Sequence, residues 1–358
     1  MNPKLDEPAG GIRLREYEPS DAEALALAYE DPVFRRFARP DTGLTTGTGY
    51  VVADEKTGEL LGGAGLDLVI PSRRQAEVTF WVAPSARRRG VATAALKSLS
   101  RYAFGTGLER LEVLTHWENA AAQRVALAAG YTREGVRRSA VPNPDGGRDD
   151  LLVWTRVAGD PEKPGTRLLP DLPGGELTDG VVTLRPVTEH DLDFYAELHG
   201  LPDVINTSVP PVRKSADEIR RRCNRSEAQW LAGTTADLVI LDNATGAPAG
   251  EISLYYQEPP TGQAMIGYSM LPAFRGQGMA TRAAQLLSLW AFAETGIVRL
   301  IAGTLPTNIG SQRVLEKAGF QREGYMRSRL PGADGARNDD IQHVLLAGDL
   351  LAQASSEG

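Results

Sequence analysis

A chain of 358 residues, 42% apolar and 24% charged with a net charge of −7, has the composition of a globular protein and the length of two domains. The acidic balance argues against a broad nucleic-acid surface. A single cysteine excludes an intramolecular disulfide and a cysteine-rich zinc site, and histidines at 116, 190, 199 and 343 show no metal-binding spacing, so no metal is expected. The start, Met1-Asn2-Pro3-Lys4-Leu5-Asp6-Glu7, carries no apolar leader, and no run approaches 18 apolar residues. The expectation is a cytoplasmic protein without membrane or nucleic-acid partners; its oligomeric state stays open.

In chain order, a strand is expected over Gly11–Tyr17, then a helix starting near Ser20-Asp21. Arg39–Gly47 reads as loop, and a hairpin turns at Lys56-Thr57-Gly58. A fourth strand, Ala76–Val82, leads through Arg87-Arg88-Arg89-Gly90 into a helix over Ala92–Phe104. A strand over Leu111–Thr115 follows, then a short helix, Ala120–Ala129, with Gly130 just past its end, and last strands around Asp149-Asp150. Residues 161–179, rich in Pro and Gly, read as a linker between domains 1–160 and 180–358.

The second domain repeats the order: a strand at Val181–Val187, a helix from Glu189–Asp191, a turn at Ala244-Thr245-Gly246, and a strand at Ala264–Met270. A helix over Ala280–Phe292, a strand over Leu300–Thr304, a helix over Ile309–Lys317 ending at Gly319, and strands around Asp339-Asp340 follow. Gln353–Gly358 is expected to fray. The repeat holds by offset. Leu14, Arg15 and Asp21 match Leu184, Arg185 and Asp191 at 170. Asp54, Thr57, Gly58 and Gly62 match Asp242, Thr245, Gly246 and Gly250 at 188, as do Arg87, Gly90 and Ala92 with Arg275, Gly278 and Ala280. Arg110, Asn119, Gly130, Glu134 and Gly135 match Arg299, Asn308, Gly319, Glu323 and Gly324 at 189; Asp149-Asp150 is set against Asp339-Asp340 at 190. The step from 170 to 188 leaves the second copy 18 extra residues. They include the capping box Ser215–Glu218 and a helix of about four turns with Ile219, Cys223 and Trp230 on its apolar side. Cys223 is therefore read as packed. Arg220-Arg221-Arg222 reads as an exposed helix face or a patch for an acidic partner.

The chemistry sits where each fourth strand meets a helix. A small-residue turn there leaves the first N–H groups of the helix free for a phosphate. The second copy offers Arg275-Gly276-Gln277-Gly278-Met279-Ala280-Thr281, the first Arg87-Arg88-Arg89-Gly90-Val91-Ala92-Thr93. Gly90 and Gly278 let a backbone approach closely, Ala92 and Ala280 avoid a clash, and Arg87 or Arg275 can add a charge-assisted bond.

With the Leu-Arg start, Asn119 and Asn308, and Gly-Tyr/Phe-x-x-Glu-Gly at 130–135 and 319–324, both copies resemble the GNAT superfamily of acyl-CoA-dependent N-acyltransferases, in particular the branch acetylating ribosomal-protein N-termini. The resemblance implies an α/β (α+β) fold of two tandem domains, each a mixed sheet splayed at its centre and flanked by helices. It implies acetyl-CoA or another acyl-CoA, with the pantetheine arm against the fourth strand near Val82 or Met270, Asn119 or Asn308 on the cofactor, and the Arg87-Arg88-Arg89 run reaching its 3′-phosphate. Ser311 would protonate the departing thiolate; the first copy has Ala122 there. A base is needed for the acceptor. Glu77, Glu251 and Tyr268 are candidates, each otherwise an ordinary strand residue, and the carboxylate that related enzymes carry about six residues beyond Glu-Gly is replaced by Val141 and Leu330. Asp339-Asp340 is either a site for a cationic amine or a turn feature. The expected reaction is direct acetyl transfer to a primary amine, of a small molecule or a peptide N-terminus, with catalysis in the second domain and the first reduced to weak binding or scaffolding. A longer acyl donor, from CoA or an acyl carrier protein, and a non-catalytic CoA-binding scaffold are the alternatives.

Overall fold

The computed structural model describes residues 10–37, 49–143 and 146–349. The expected loop over Arg39–Gly47 and the C-terminal Gln353–Gly358 lie outside these. The chain divides into two compact units, Met1–Thr166 and Arg167–Gly358. The division falls inside the stretch 161–179 expected as a linker. Leu169 and Leu172 are fully or nearly buried in the second core, and Leu177 packs on it. The segment is rich in Pro and Gly, but its leucines bury as any apolar side chains do.

The first unit holds β1 (Ile12–Arg15), α1 (Ala22–Glu30), α2 (Pro32–Phe37), β2 (Tyr50–Asp54), β3 (Leu60–Ile70), β4 (Gln75–Val82), α3 (Val91–Gly105), β5 (Arg110–His116), α4 (Ala120–Ala128), β6 (Thr132–Pro142) and β7 (Arg148–Val157). Its sheet runs β1-β2-β3-β4-β5-β7-β6. The second holds β8 (Leu177–Thr178), β9 (Val182–Pro186), α5 (Leu192–Gly200), α6 (Pro202–Thr207), α7 (Ala216–Leu231), β10 (Thr235–Asp242), β11 (Pro248–Glu258), β12 (Gln263–Met270), α8 (Met279–Glu294), β13 (Arg299–Thr304), α9 (Ile309–Lys317), β14 (Gln321–Pro331) and β15 (Arg337–Leu346). Its sheet runs β14-β15-β13-β12-β11-β10-β9-β8.

Each sheet has one parallel pair, and it is short. β4 meets β5 only over Gln75–Glu77 against Arg110–Glu112, and β12 meets β13 only over Gln263–Met265 against Arg299–Ile301. Beyond these three residues the strands diverge into a fork. The repeated residues explain why both copies fold alike. Arg15 and Arg185 grip Asp21 and Asp191 through two bonds each. Asp54 and Asp242 accept backbone N–H groups of their own turns. A Cβ at Gly62 or Gly250 would stand 2.3 or 2.4 Å from the carbonyl oxygen of Trp81 or Ser269. Arg110 and Arg299 reach Glu134 and Glu323.

Strand register corrects one match. Ser139 N–H donates to Asp150 and Ser328 N–H to Asp339, and Leu152 and Ile341 lie opposite Thr115 and Thr304. The 189 offset therefore runs on to the end. Asp150 corresponds to Asp339, and Asp340 corresponds to Leu151.

Candidate active site

The two helix starts are built alike. Gly90 and Gly278, at φ 79° in both, are N-caps without a side chain, and residues 88 and 276 are also left-handed, at φ 57° and 73°. The first helical bonds are Ala94 N–H to the Gly90 carbonyl and Arg282 N–H to the Gly278 carbonyl. The N–H groups just upstream form a concave, positively polarised nest. A Cβ at Gly90, Gly276 or Gly278 would meet no protein atom within 4 Å. Glycine there answers to backbone conformation and to what approaches from outside, not to internal packing. The first copy places Arg88 where the second has Gly276. Arg88→Gly is expected to stabilise the first unit by about 0.5–1 kcal/mol, by relief of left-handed strain, measured by denaturant melting.

Arg87 and Arg275 also hold the end of the fork strand. Arg87 donates to the Val82 carbonyl and pairs with Asp31, whose carboxylate accepts from Phe34 N–H at the start of α2. Arg275 donates twice to the Met270 carbonyl, at 2.9 and 2.7 Å, and pairs with Asp203 of α6. Each arginine ties the last residue of the fork strand to the helix beyond, because the strand-end carbonyl and a nearby carboxylate together satisfy its fork of donors.

In the first unit one cleft of about 660 Å³ runs from the nest to the fork. Val82, Arg87, Arg88, Gly90, Val91, Ala92, Thr93 and Asn119 all line it, with Phe34, Phe37, Phe80, Trp81, Leu114 and Ala122 as walls. Arg89 and Glu77 do not line it. In the second unit Arg275, Gly276, Gln277, Gly278, Met279, Ala280 and Thr281 form the matching turn and helix start; Gln277 donates to the Ala273 carbonyl. Asn119 and Asn308 cap α4 and α9 by accepting from the N–H of Ala122 and Ser311, each at 3.1 Å. Gln123 and Gln312, absent from the expected set, brace the preceding turns through two carbonyls each. Their pairing at 189 was the available signal.

Ser311 and Tyr268 meet. The tyrosine oxygen lies 2.8 Å from Ser311 Oγ and donates to the Ser311 carbonyl at 3.1 Å. Burial pushes the phenol up to about 12, partly offset by Ser311, so it stays a neutral donor. The first copy has Phe80 and Ala122 at the two positions and carries neither hydroxyl.

Glu77 and Glu251 are not solvated strand residues. Glu77 is buried at the root of the first fork, beside Glu112 and 3.9 Å from Arg137. Glu251 is 5% exposed, with His199 Nε2 and Arg222 each at 3.1 Å. Burial raises its carboxyl, but Arg222 and His199 outweigh this and hold it down at about 2. A carboxylate so firmly ionised is a poor proton acceptor, which argues against Glu251 as the base. Arg222 also reaches Asp237 and Ser253, so the exposed face expected for Arg220-Arg221-Arg222 holds only for the first two. His199, missed in the sequence, belongs to this cluster. Cys223 is buried against Tyr195 and Val239, as its position on the helix implied.

Two stretches, residues 12–132 and 182–321, match the family model described as acetyltransferase (GNAT) domain. The chain belongs to the GNAT acetyltransferase family. It is an acyltransferase of the acyl-CoA-dependent class, with the family domain present twice. The probable N-acetyltransferase YjcK of Bacillus subtilis is 46% identical over 158 residues, 43% of this chain and 82% of that protein. The putative ribosomal N-acetyltransferase YdaF of the same organism is 33% identical over 101 residues, 28% of this chain and 55% of that protein. Mycobacterium smegmatis RimJ, solved with a CoA disulfide, is 24% identical with a TM-score of 0.43, over 50% of this chain and 93% of that one. Among the described residues no helix is long and apolar enough to cross a membrane, and no cluster of side chains is suited to a metal ion.

Proposed function

We propose that the GNAT-family acyltransferase is an N-acetyltransferase that moves the acetyl group of acetyl-CoA to a primary amine, of a small molecule or a peptide N-terminus, and that the second unit carries turnover. The observation that carries this reading is the Tyr268–Ser311 pair, two neutral hydroxyls on the helix side of the second fork. The nest at 276–281 takes the diphosphate and the pantetheine arm follows β12 into the fork. The thioester then lies beside the pair, which donates to sulfur as the carbon–sulfur bond breaks. Asn308 sets the height of Ser311 by capping α9. The match to an N-acetyltransferase over 82% of its length supports the same acyl group.

A second reading concerns the first unit. Its cleft is walled by Phe34, Phe37, Phe80, Trp81 and Leu114, and this apolar lining suits a thioester with a longer acyl chain. Gly278→Ala puts a methyl at φ 79° into the second nest, and Gly90→Ala does the same in the first. Gly278→Ala is expected to weaken acetyl-CoA binding at the second site about tenfold, by calorimetry, and to slow thiol release with it. Release that follows Gly90→Ala alone would reassign turnover to the first unit.

A further inference from the structure

The hydroxyl pair leaves half of the chemistry unassigned, because something must receive the acceptor's ammonium group. The opposite face of the second sheet holds Asp340, which the sequence left, with Asp339, as either a site for a cationic amine or a turn feature and not as a catalytic residue. Side chains alternate along strands. Ile266, Met270, Leu300, Ala302 and Leu345 lie in the core. Tyr268 shares their face of the sheet, and Ile301, Gly303, Gln342 and Asp340 share the other, by the register of β12, β13 and β15. Gly303 lies two residues past the last parallel pair, where the strands have already parted.

Asp340 is fully buried there. Its Oδ2 is 2.5 Å from Arg329, while Oδ1 has no hydrogen-bond partner among the described residues. A Cβ at Gly303 would stand only 2.7 Å from Oδ1. The carboxylate therefore fills the space a side chain at 303 would need, directly over the fork strand, and Gly303 itself is exposed. A buried carboxylate oxygen with no donor is costly unless something else supplies one. The first copy has Leu114, Leu151 and Ala140 at the positions of Gly303, Asp340 and Arg329. The glycine, the aspartate and the arginine stand or fall together.

We propose that Asp340 Oδ1 receives the ammonium group of the acceptor amine in the second unit, which makes it a catalytic residue on the side of the fork opposite Tyr268 and Ser311. This rests on the reading of the second unit as the acetyl-transfer site. An ammonium enters over Gly303 and gives one proton to Oδ1, from which it passes to solvent. The freed lone pair forms the carbon–nitrogen bond, and the carbon–sulfur bond breaks with its electrons on sulfur. The second nitrogen proton goes to sulfur through the hydroxyl pair. The sum is an amide, a free thiol and one released proton. Arg329 holds the other oxygen and keeps Oδ1 turned to the fork. The acceptor class is thus a strongly basic primary amine, cationic when it arrives.

The test compares Asp340→Asn with wild type on two acceptors, a strongly basic alkyl amine and a weakly basic hydrazide of similar size that arrives uncharged. Expected is a fall in kcat/KM of about 100-fold or more with the alkyl amine and less than fivefold with the hydrazide, with acetyl-CoA affinity unchanged. Equal losses with both acceptors, or none with either, overturn the proposal. The triple change Gly303→Leu, Asp340→Leu, Arg329→Ala installs the first copy's residues and guards against a folding defect. It is expected to bind acetyl-CoA normally and to lose the alkyl amine reaction. Absence of any thiol release by wild type would instead count against the acetyl-transfer reading itself.

Discussion

Replacing Tyr268 by Phe and Ser311 by Ala together is expected to lower kcat by about 100- to 1000-fold and to leave acetyl-CoA affinity within threefold of wild type. On the proposed reading the thiolate would form in the fork between diverging strands, away from bulk water, where a bare charge is costly. Two hydroxyls 2.8 Å apart are the donors on that side. Neither contributes to the nest, so binding through the diphosphate is untouched and the loss falls on the chemical step. The variant is also a conservative one structurally. The first unit carries Phe80 and Ala122 in the same elements and builds the same fork. Thiol release under saturating acetyl-CoA and acceptor measures the effect. A double variant within threefold of wild type in kcat would remove the pair from the mechanism. The single changes should not add, since each hydroxyl orients the other.

What the sequence disclosed was what local rules govern. The small-residue turns at Gly90 and Gly278, the capping box Ser215–Glu218 and the hairpin turns at 56–58 and 244–246 are each set by neighbours within four residues, while Asn119 and Asn308, expected on the cofactor, cap their helices. Their chemistry is written in residue type and spacing. The repeat extended that reading, because a residue kept in both copies at one offset has one task in both. The Arg15–Asp21 and Arg110–Glu134 pairs are examples. What stayed hidden depends on packing between distant segments. Nothing near Arg87 announces that it will take the Val82 carbonyl and Asp31. Counting alone set Asp340 against Asp150; only the pairing of β13 with β15 puts it opposite a leucine of the first copy. His199 and Glu251 lie 52 positions apart, on α5 and β11, and meet only in the folded unit. Leu169 and Leu172 likewise lie in a stretch whose Pro and Gly content reads as linker, and reach the core through packing with distant segments.

Arg222→Leu is expected to cost the second unit about 3–5 kcal/mol, the typical penalty for breaking a buried ion pair from one side. Arg222 projects from α7, the helix in the extra 18 residues, and its guanidinium serves both Asp237 and Glu251 while its Cζ lies 5.3 Å from the centre of the Tyr195 ring. Burial works against the charge on Arg222, but Glu251 and Asp237 outweigh it and hold its pKa well above the ordinary value. Without it two buried carboxylates are left together, and His199 and Lys214 remain beside Glu251. The pH dependence separates this from a simple loss of packing. In wild type Glu251 has its pKa lowered from 4.5 to about 2, so its contribution is complete above pH ~4.5 and is lost as pH falls towards 2. In the variant burial is no longer outweighed, the folded pKa of Glu251 rises above the unfolded one, and protonation now favours the folded state. The difference in stability between the two proteins should therefore shrink as pH falls from 6 to about 4, read from thermal melts of the intact chain. At neutral pH the transition of the second unit should drop by roughly 6–20 °C. A constant difference across that range would mean that Arg222 acts by filling space and not by holding Glu251 ionised.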